Sequence, residues 1–154
     1  MLARHLCALA LIASAPATAQ TPGEWRYTIA TDQSNIPVNM RVNFPTITFS
    51  ACRTAEDFAS GRAFALQTAP GSEARCPSAG FVRQPLANGK GKAESLQFVY
   101  ACDEGKTLSG LAQGTVSATR LKIELESRYT PAVGGVAGVK QTMSAVRTGP
   151  CKAK

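Results

Sequence analysis

The strongest constraint in this sequence is a mirror symmetry between two cysteines. Cys76 and Cys102 lie at equal distances from Gly89, the second residue of an Asn88-Gly89 pair. If the chain folds back there as a β-hairpin, the two cysteines fall directly opposite each other, where a disulfide closes without distorting the backbone. The return arm supports this. Leu96, Phe98, Tyr100 and Cys102 alternate with Ser95, Gln97, Val99 and Ala101, the period of a strand. In this hairpin Gly80 is expected opposite Phe98, and Val82 opposite Leu96.

Four cysteines lie beyond residue 20: Cys52, Cys76, Cys102 and Cys151. An even count at long spacings reads as two disulfides, and the absence of any C-x-x-C pair speaks against zinc. Three pairings are open to four cysteines. The hairpin favours Cys76–Cys102, which leaves Cys52–Cys151. The second bridge closes so long a loop that the chain-entropy model assigns it up to about 4.7 kcal/mol.

The first residues read as an export signal. Arg4 and His5 form a short positive region, Leu6 to Ile12 an apolar core, and Ala17-Thr18-Ala19 a small-residue cleavage site, so the mature chain is expected to begin at Gln20. Cys7 is discarded with this segment. No stretch approaches the ~20 apolar residues of a membrane-spanning helix. The expectation is a periplasmic protein, with secretion as the alternative, consisting of a signal at 1–19 and a single disulfide-bonded domain at 20–154.

The signal also holds the one histidine of the chain, so imidazole catalysis and imidazole metal ligation have no residue to use. There is no G-x-S-x-G or S-x-x-K motif. The acidic pairs Glu56/Asp57, Asp103/Glu104 and Glu124/Glu126 read as a helix start, a turn and a solvated strand face rather than a glycosidase pair. Gly134-Gly135-Val136-Ala137-Gly138 reads as a turn, not a phosphate loop. Basic residues outnumber acidic ones, 17 to 10, but they are scattered, which suits solubility or an anionic envelope component. Arg26 alternates away from Trp25 and Tyr27, so a nucleic-acid platform is not expected. No catalytic, cofactor or metal residue is assigned, and the chain is not expected to be an enzyme.

Along the chain, Trp25, Tyr27 and Ile29 share the core face of a first strand. Val38, Met40, Val42 and Phe44 alternate as a second, with a bend at Pro45 before Ile47 and Phe49. Thr54 caps a short helix closed by Gly61, and residues 65–78 form a surface loop. Strands follow at 108–117, at Arg120–Tyr129 with Leu121, Ile123, Leu125 and Tyr129 on one face, and at 139–147 after a turn at 131–138. The sum is an all-β antiparallel meander curling into a partial or closed barrel, with one short helix.

Several motifs in this order resemble a known family. Pro22-Gly23-Glu24-Trp25, then Cys52-Arg53-Thr54-Ala55-Glu56-Asp57, the two central cysteines, Leu108-Ser109-Gly110, and Met143-Ser144-Ala145-Val146-Arg147-Thr148-Gly149-Pro150-Cys151 are similar to the small exported proteobacterial proteins grouped as domain of unknown function DUF3617. The resemblance implies a periplasmic, disulfide-bearing β domain and brings no activity or catalytic residue with it. Two functions are therefore expected as alternatives. One is a monomeric module binding a partner protein or envelope component, its interior filled by Trp25, Phe44, Phe98 and Leu121. The other is a barrel holding a small apolar ligand in unfilled volume.

The pairing has a direct check. Cys52→Ser is expected to expose Cys151 to thiol reagents and to leave Cys76 and Cys102 unreactive, as mapped by alkylation and peptide mass; a reactive Cys76 or Cys102 would overturn this pairing.

Overall fold

The computed structural model describes residues 20–66, 76–87, 93–103 and 106–152. Residues 1–19, expected as a signal, and Pro70-Gly71-Ser72, Asn88-Gly89 and Glu104-Gly105, expected as loop and turns, lie outside the described residues. Seven strands form one antiparallel sheet: β1 (Gly23–Thr31), β2 (Ile47–Arg53), β3 (Ser78–Pro85), β4 (Ala93–Cys102), β5 (Leu108–Ser117), β6 (Arg120–Val133) and β7 (Val136–Gly149). Their spatial order is β2-β1-β7-β6-β5-β4-β3. The run from β3 to β7 is a meander. β7 then pairs with β1, so the first strand lies beside the last and carries β2 on its outer side. The sheet is not closed: β2 and β3 are its two edges.

The segment joining those edges covers the apolar face. The helix α1 (Ala55–Ala59) begins in a capping box, in which the Thr54 hydroxyl accepts from the Asp57 N–H while the Asp57 carboxylate accepts from the Thr54 N–H. Arg62 also pairs with Asp57. Burial works against the Asp57 carboxylate, but these donors together hold it below its ordinary value. A 3-10 turn at Arg62–Phe64 follows. Together the two pieces deliver Phe58 and Phe64 into the curve of the sheet. Phe58 meets Trp25 edge-on at 5.1 Å, and Phe64 lies 6.1 Å from Phe98. Trp25 is fully buried, and its indole N–H donates to the Thr21 carbonyl at 3.1 Å. Tyr27 stacks on Phe49, its direct neighbour across β1 and β2, at 4.8 Å. Leu96, Leu121, Ile123, Leu125 and Met143 pack in the same core.

Two bridges pin this arrangement. Cys76 bonds to Cys102, with Cα atoms 3.9 Å apart, and Cys52 bonds to Cys151, with Cα atoms 5.4 Å apart. Because β1 lies between β2 and β7, the second bridge ties across β1.

Three local expectations are corrected. Residues 38–44 are not a strand: Val38–Asn43 is a 3-10 segment, in which the Met40 N–H donates to the Pro37 carbonyl. Their period-two alternation has no strand to pair with, because the sheet place beside β1 is taken by Ile47–Arg53. Val38 and Val42 are 77% and 79% exposed, whereas Phe44 joins Ile36 and Val139 in a small satellite core away from Trp25 and Phe98. Second, the β3–β4 register begins as expected, with Ser78 opposite Tyr100 and Ala79 opposite Val99, but a bulge before Val82 shifts it by one. Gly80, at φ +66°, sits in that bulge. Val82 therefore faces Gln97 instead of Leu96, and Phe81 rather than bare glycine lies beside Phe98, at 5.2 Å. Third, the 131–138 turn is only Gly134-Gly135, both at positive φ, a two-residue hairpin loop between β6 and β7.

One polar chain crosses the core. The Tyr100 ring on β4 reaches over β5 at Gly110, where a Cβ would overlap both Tyr100 Oη and the Glu126 carbonyl. Tyr100 Oη lies 2.6 Å from Ser127 Oγ on β6. Ser127 donates its one hydrogen to Gln141 Oε1 at 2.8 Å, so Tyr100 is the donor to Ser127. Gln141 Nε2 then donates to Thr31 Oγ1 at 3.1 Å, and the chain spans β4 to β1.

Two measurements follow from this core. Trp25→Ala is expected to lose ~3–5 kcal/mol in denaturant unfolding; an unchanged midpoint would place Trp25 on the surface. Burial pushes the Tyr100 phenol up to about 12, against the opposing Ser127 hydrogen bond. That folded value lies above the unfolded value of ~10. The contribution is therefore complete below pH ~10 and is lost as pH rises toward 12. Tyr100→Phe is expected to cost about 1 kcal/mol at neutral pH, to remove a phenolate step near 12 from an absorbance titration, and to abolish this alkaline loss.

Candidate binding face

The strands present two faces of different character. On the inner face Ser127, Asp57 and the four cysteines beyond residue 20 are each engaged by neighbours. Ser127 donates to an amide rather than to a base, so nothing activates it as a nucleophile. Asp57 is occupied by Thr54 and Arg62. All four candidate cysteines are in disulfides. Among the described residues no group of three His, Cys, Asp or Glu side chains stands close enough to hold a metal ion, and no helix is long and apolar enough to cross a membrane.

The outer face of β3 to β7 carries a shallow, continuous groove. Its first part, about 290 Å³, is lined by Asp32, Leu111, Gln113, Glu124, Glu126 and Lys140. A second part, about 470 Å³, shares Gln113 and Glu124 and extends across Gln97 to Val82. The register builds this surface row by row. Val99 lies opposite Leu111, and Leu111 opposite Glu126; one row away, Val82 faces Gln97, Gln97 faces Gln113, and Gln113 faces Glu124. The result is an apolar island of Val82, Val99 and Leu111, which are 52%, 51% and 38% exposed, bordered by amides and charges.

Alternation alone would make this face polar, since it is the solvent side of an antiparallel sheet. Val99 stands in the sequence as an outward position of its strand, whereas the sequence assigns no face to Leu111. Val82 does not stand out in this way, because only the bulge at Gly80 turns it outward. No signal short of the β3–β4 register could have revealed it.

Electrostatically the groove is mixed rather than polarised. Lys140 Nζ lies 3.7 Å from Glu126, but both side chains are mostly in water, and such a pair is worth little. Asp32 accepts the Ser34 N–H at 2.9 Å, and this hydrogen bond holds its carboxyl below the ordinary value. The pair Glu124/Glu126 stands on the solvated face of β6, as expected. Glu56 is exposed on α1, and Glu104 lies outside the described residues. Arg26 also faces outward, on β1, away from the buried Trp25 and Tyr27. Val38 and Val42 form a second exposed apolar pair, on the 3-10 segment between β1 and β2.

Comparison with known proteins gives one match. No curated protein and no solved structure matches the chain. The family model described as "Protein of unknown function (DUF3617)" matches residues 20–151, from Gln20 through the second disulfide. The chain belongs to the DUF3617 family.

Proposed function

We propose that this protein is an exported, non-enzymatic, monomeric module of the periplasm that docks a partner protein on the outer groove of its sheet. The observation that carries this reading is the apolar island of Val82, Val99 and Leu111 on a face that alternation reserves for polar residues. An apolar centre ringed by Gln97, Gln113, Glu124 and Lys140 has the composition of a protein interface, with a dry middle and a polar rim. The open sheet and an interior occupied by Trp25, Phe58, Phe64 and Phe98 favour docking on the surface over an apolar ligand held inside.

Two features support export. The Ala17-Thr18-Ala19 site immediately precedes the residue at which the family match begins. Two disulfides suit an oxidising compartment.

A photo-crosslinking residue placed at Leu111 in living cells is expected to give a discrete protein adduct, absent when the same residue is placed at Thr48 on the edge strand. Val99→Lys is expected to abolish that adduct while changing stability by no more than about 0.5 kcal/mol, as for other surface substitutions. Identical adducts from both positions, or adducts with lipopolysaccharide alone, would overturn the protein-docking reading.

A further inference from the structure

Gln20 occupies a closed position at the start of the described chain. It is 2% exposed, and its Oε1 accepts from Arg83 Nη1 at 3.2 Å. The next residue is pinned, with the Thr21 N–H donating to the Ala118 carbonyl at 2.8 Å and the Thr21 carbonyl accepting from Trp25. Arg83 is itself held in place. Its Nη2 donates to the Phe58 carbonyl at the end of α1 at 2.8 Å, and its guanidinium lies over the Phe64 ring at 5.3 Å. The bulge at Gly80 is what turns Arg83 toward this position.

We propose that cleavage after Ala19 is followed by closure of Gln20 to pyroglutamate, so that the mature protein begins with a lactam. The proposal rests on the export reading, which supplies the new terminus. In the reaction the α-amine of Gln20, in its neutral form, attacks the side-chain carboxamide carbon. A bond forms between the α-nitrogen and Cδ, and the bond from Cδ to Nε2 breaks. One amine proton passes to the departing nitrogen, which leaves as ammonia. No oxidant, reductant or second substrate enters.

Two features of the site drive this closure. Arg83 donates to the oxygen on which negative charge develops as the amine attacks, the role of an oxyanion donor fixed before the reaction. The product is neutral, and a neutral lactam suits an enclosed position where a free ammonium would lose its hydration. The lactam keeps the Cδ carbonyl, so Arg83 retains its acceptor. Opposing the oxyanion role is Glu94, whose carboxylate lies 3.7 Å from the same Arg83 nitrogen and partly neutralises its charge. A closed terminus also gives aminopeptidases of the envelope no free amine to bind.

The test is the intact mass and amino-terminal sequence of protein recovered from the envelope of cells expressing the full chain, beside a synthetic peptide beginning at Gln20. The expected result is a chain starting at residue 20, lighter by one ammonia, resistant to stepwise sequencing until treated with pyroglutamyl aminopeptidase. Closure is expected to be at least about a hundredfold faster than in the peptide under the same conditions, the contribution of one fixed oxyanion donor. Gln20→Glu is expected to start at the same residue and keep its amine, since hydroxide is a poorer leaving group than ammonia. A wild-type chain starting at Gln20 with a free amine would overturn the lactam and leave the cleavage reading standing. A chain starting elsewhere would overturn both. Closure no faster than in the peptide would overturn the role of Arg83.

Discussion

An open sheet with one apolar face has to bury that face against something other than a second sheet, and this requirement organises the molecule. The solution is Phe58 and Phe64, brought in by α1 and the 3-10 turn that follows it. These rings meet Trp25 from one side of the sheet and Phe98 from the other, so the connection between the two edge strands is also the filling of the core. The capping box at Thr54 and the Arg62–Asp57 pair are local devices that start this connection correctly. Without it, β1 and β4 would present their aromatic rows to water.

Placing β7 between β1 and β6 sets the second constraint. A meander from β3 to β7 is local and quick to assemble, but the pairing of β1 with β7 joins residues about as far apart as this chain allows. The Cys52–Cys151 bridge acts at the same place, holding the segment after β7 to β2 across β1. The chain of Tyr100, Ser127, Gln141 and Thr31 performs a related task at the other end of those strands. It connects β4 to β1 through side chains, and it exists because Gly110 leaves room for a phenol above β5.

The bulge at Gly80 links the fold to both functional readings. By shifting the β3–β4 register, it turns Val82 outward, where it completes the apolar island, and turns Phe81 and Arg83 inward. Arg83 then touches α1, Phe64 and Gln20 together. The outer groove and the enclosed amino end of the domain thus depend on the same irregular residue pair in an edge strand.

Strand positions with strict alternation were readable directly from the residues. Trp25-Tyr27-Ile29 and Leu121-Ile123-Leu125 show their inward faces because water and core select opposite chemistry at successive positions. The cap at Thr54 and the β character of the chain were equally local signals. Residues 38–44 misled because alternation marks a strand only where a neighbouring strand exists to pair with it, and that is a property of the whole sheet. The β3–β4 register misled because a bulge is one residue of slippage, invisible in a symmetric count from Gly89. The insertion of β7 beside β1, the filling of the interior by Phe58 and Phe64, and the outward turn of Val82 were decided only by tertiary packing. Each depends on which distant strand offers its hydrogen bonds and its apolar surface, and no local run of residues carries that information.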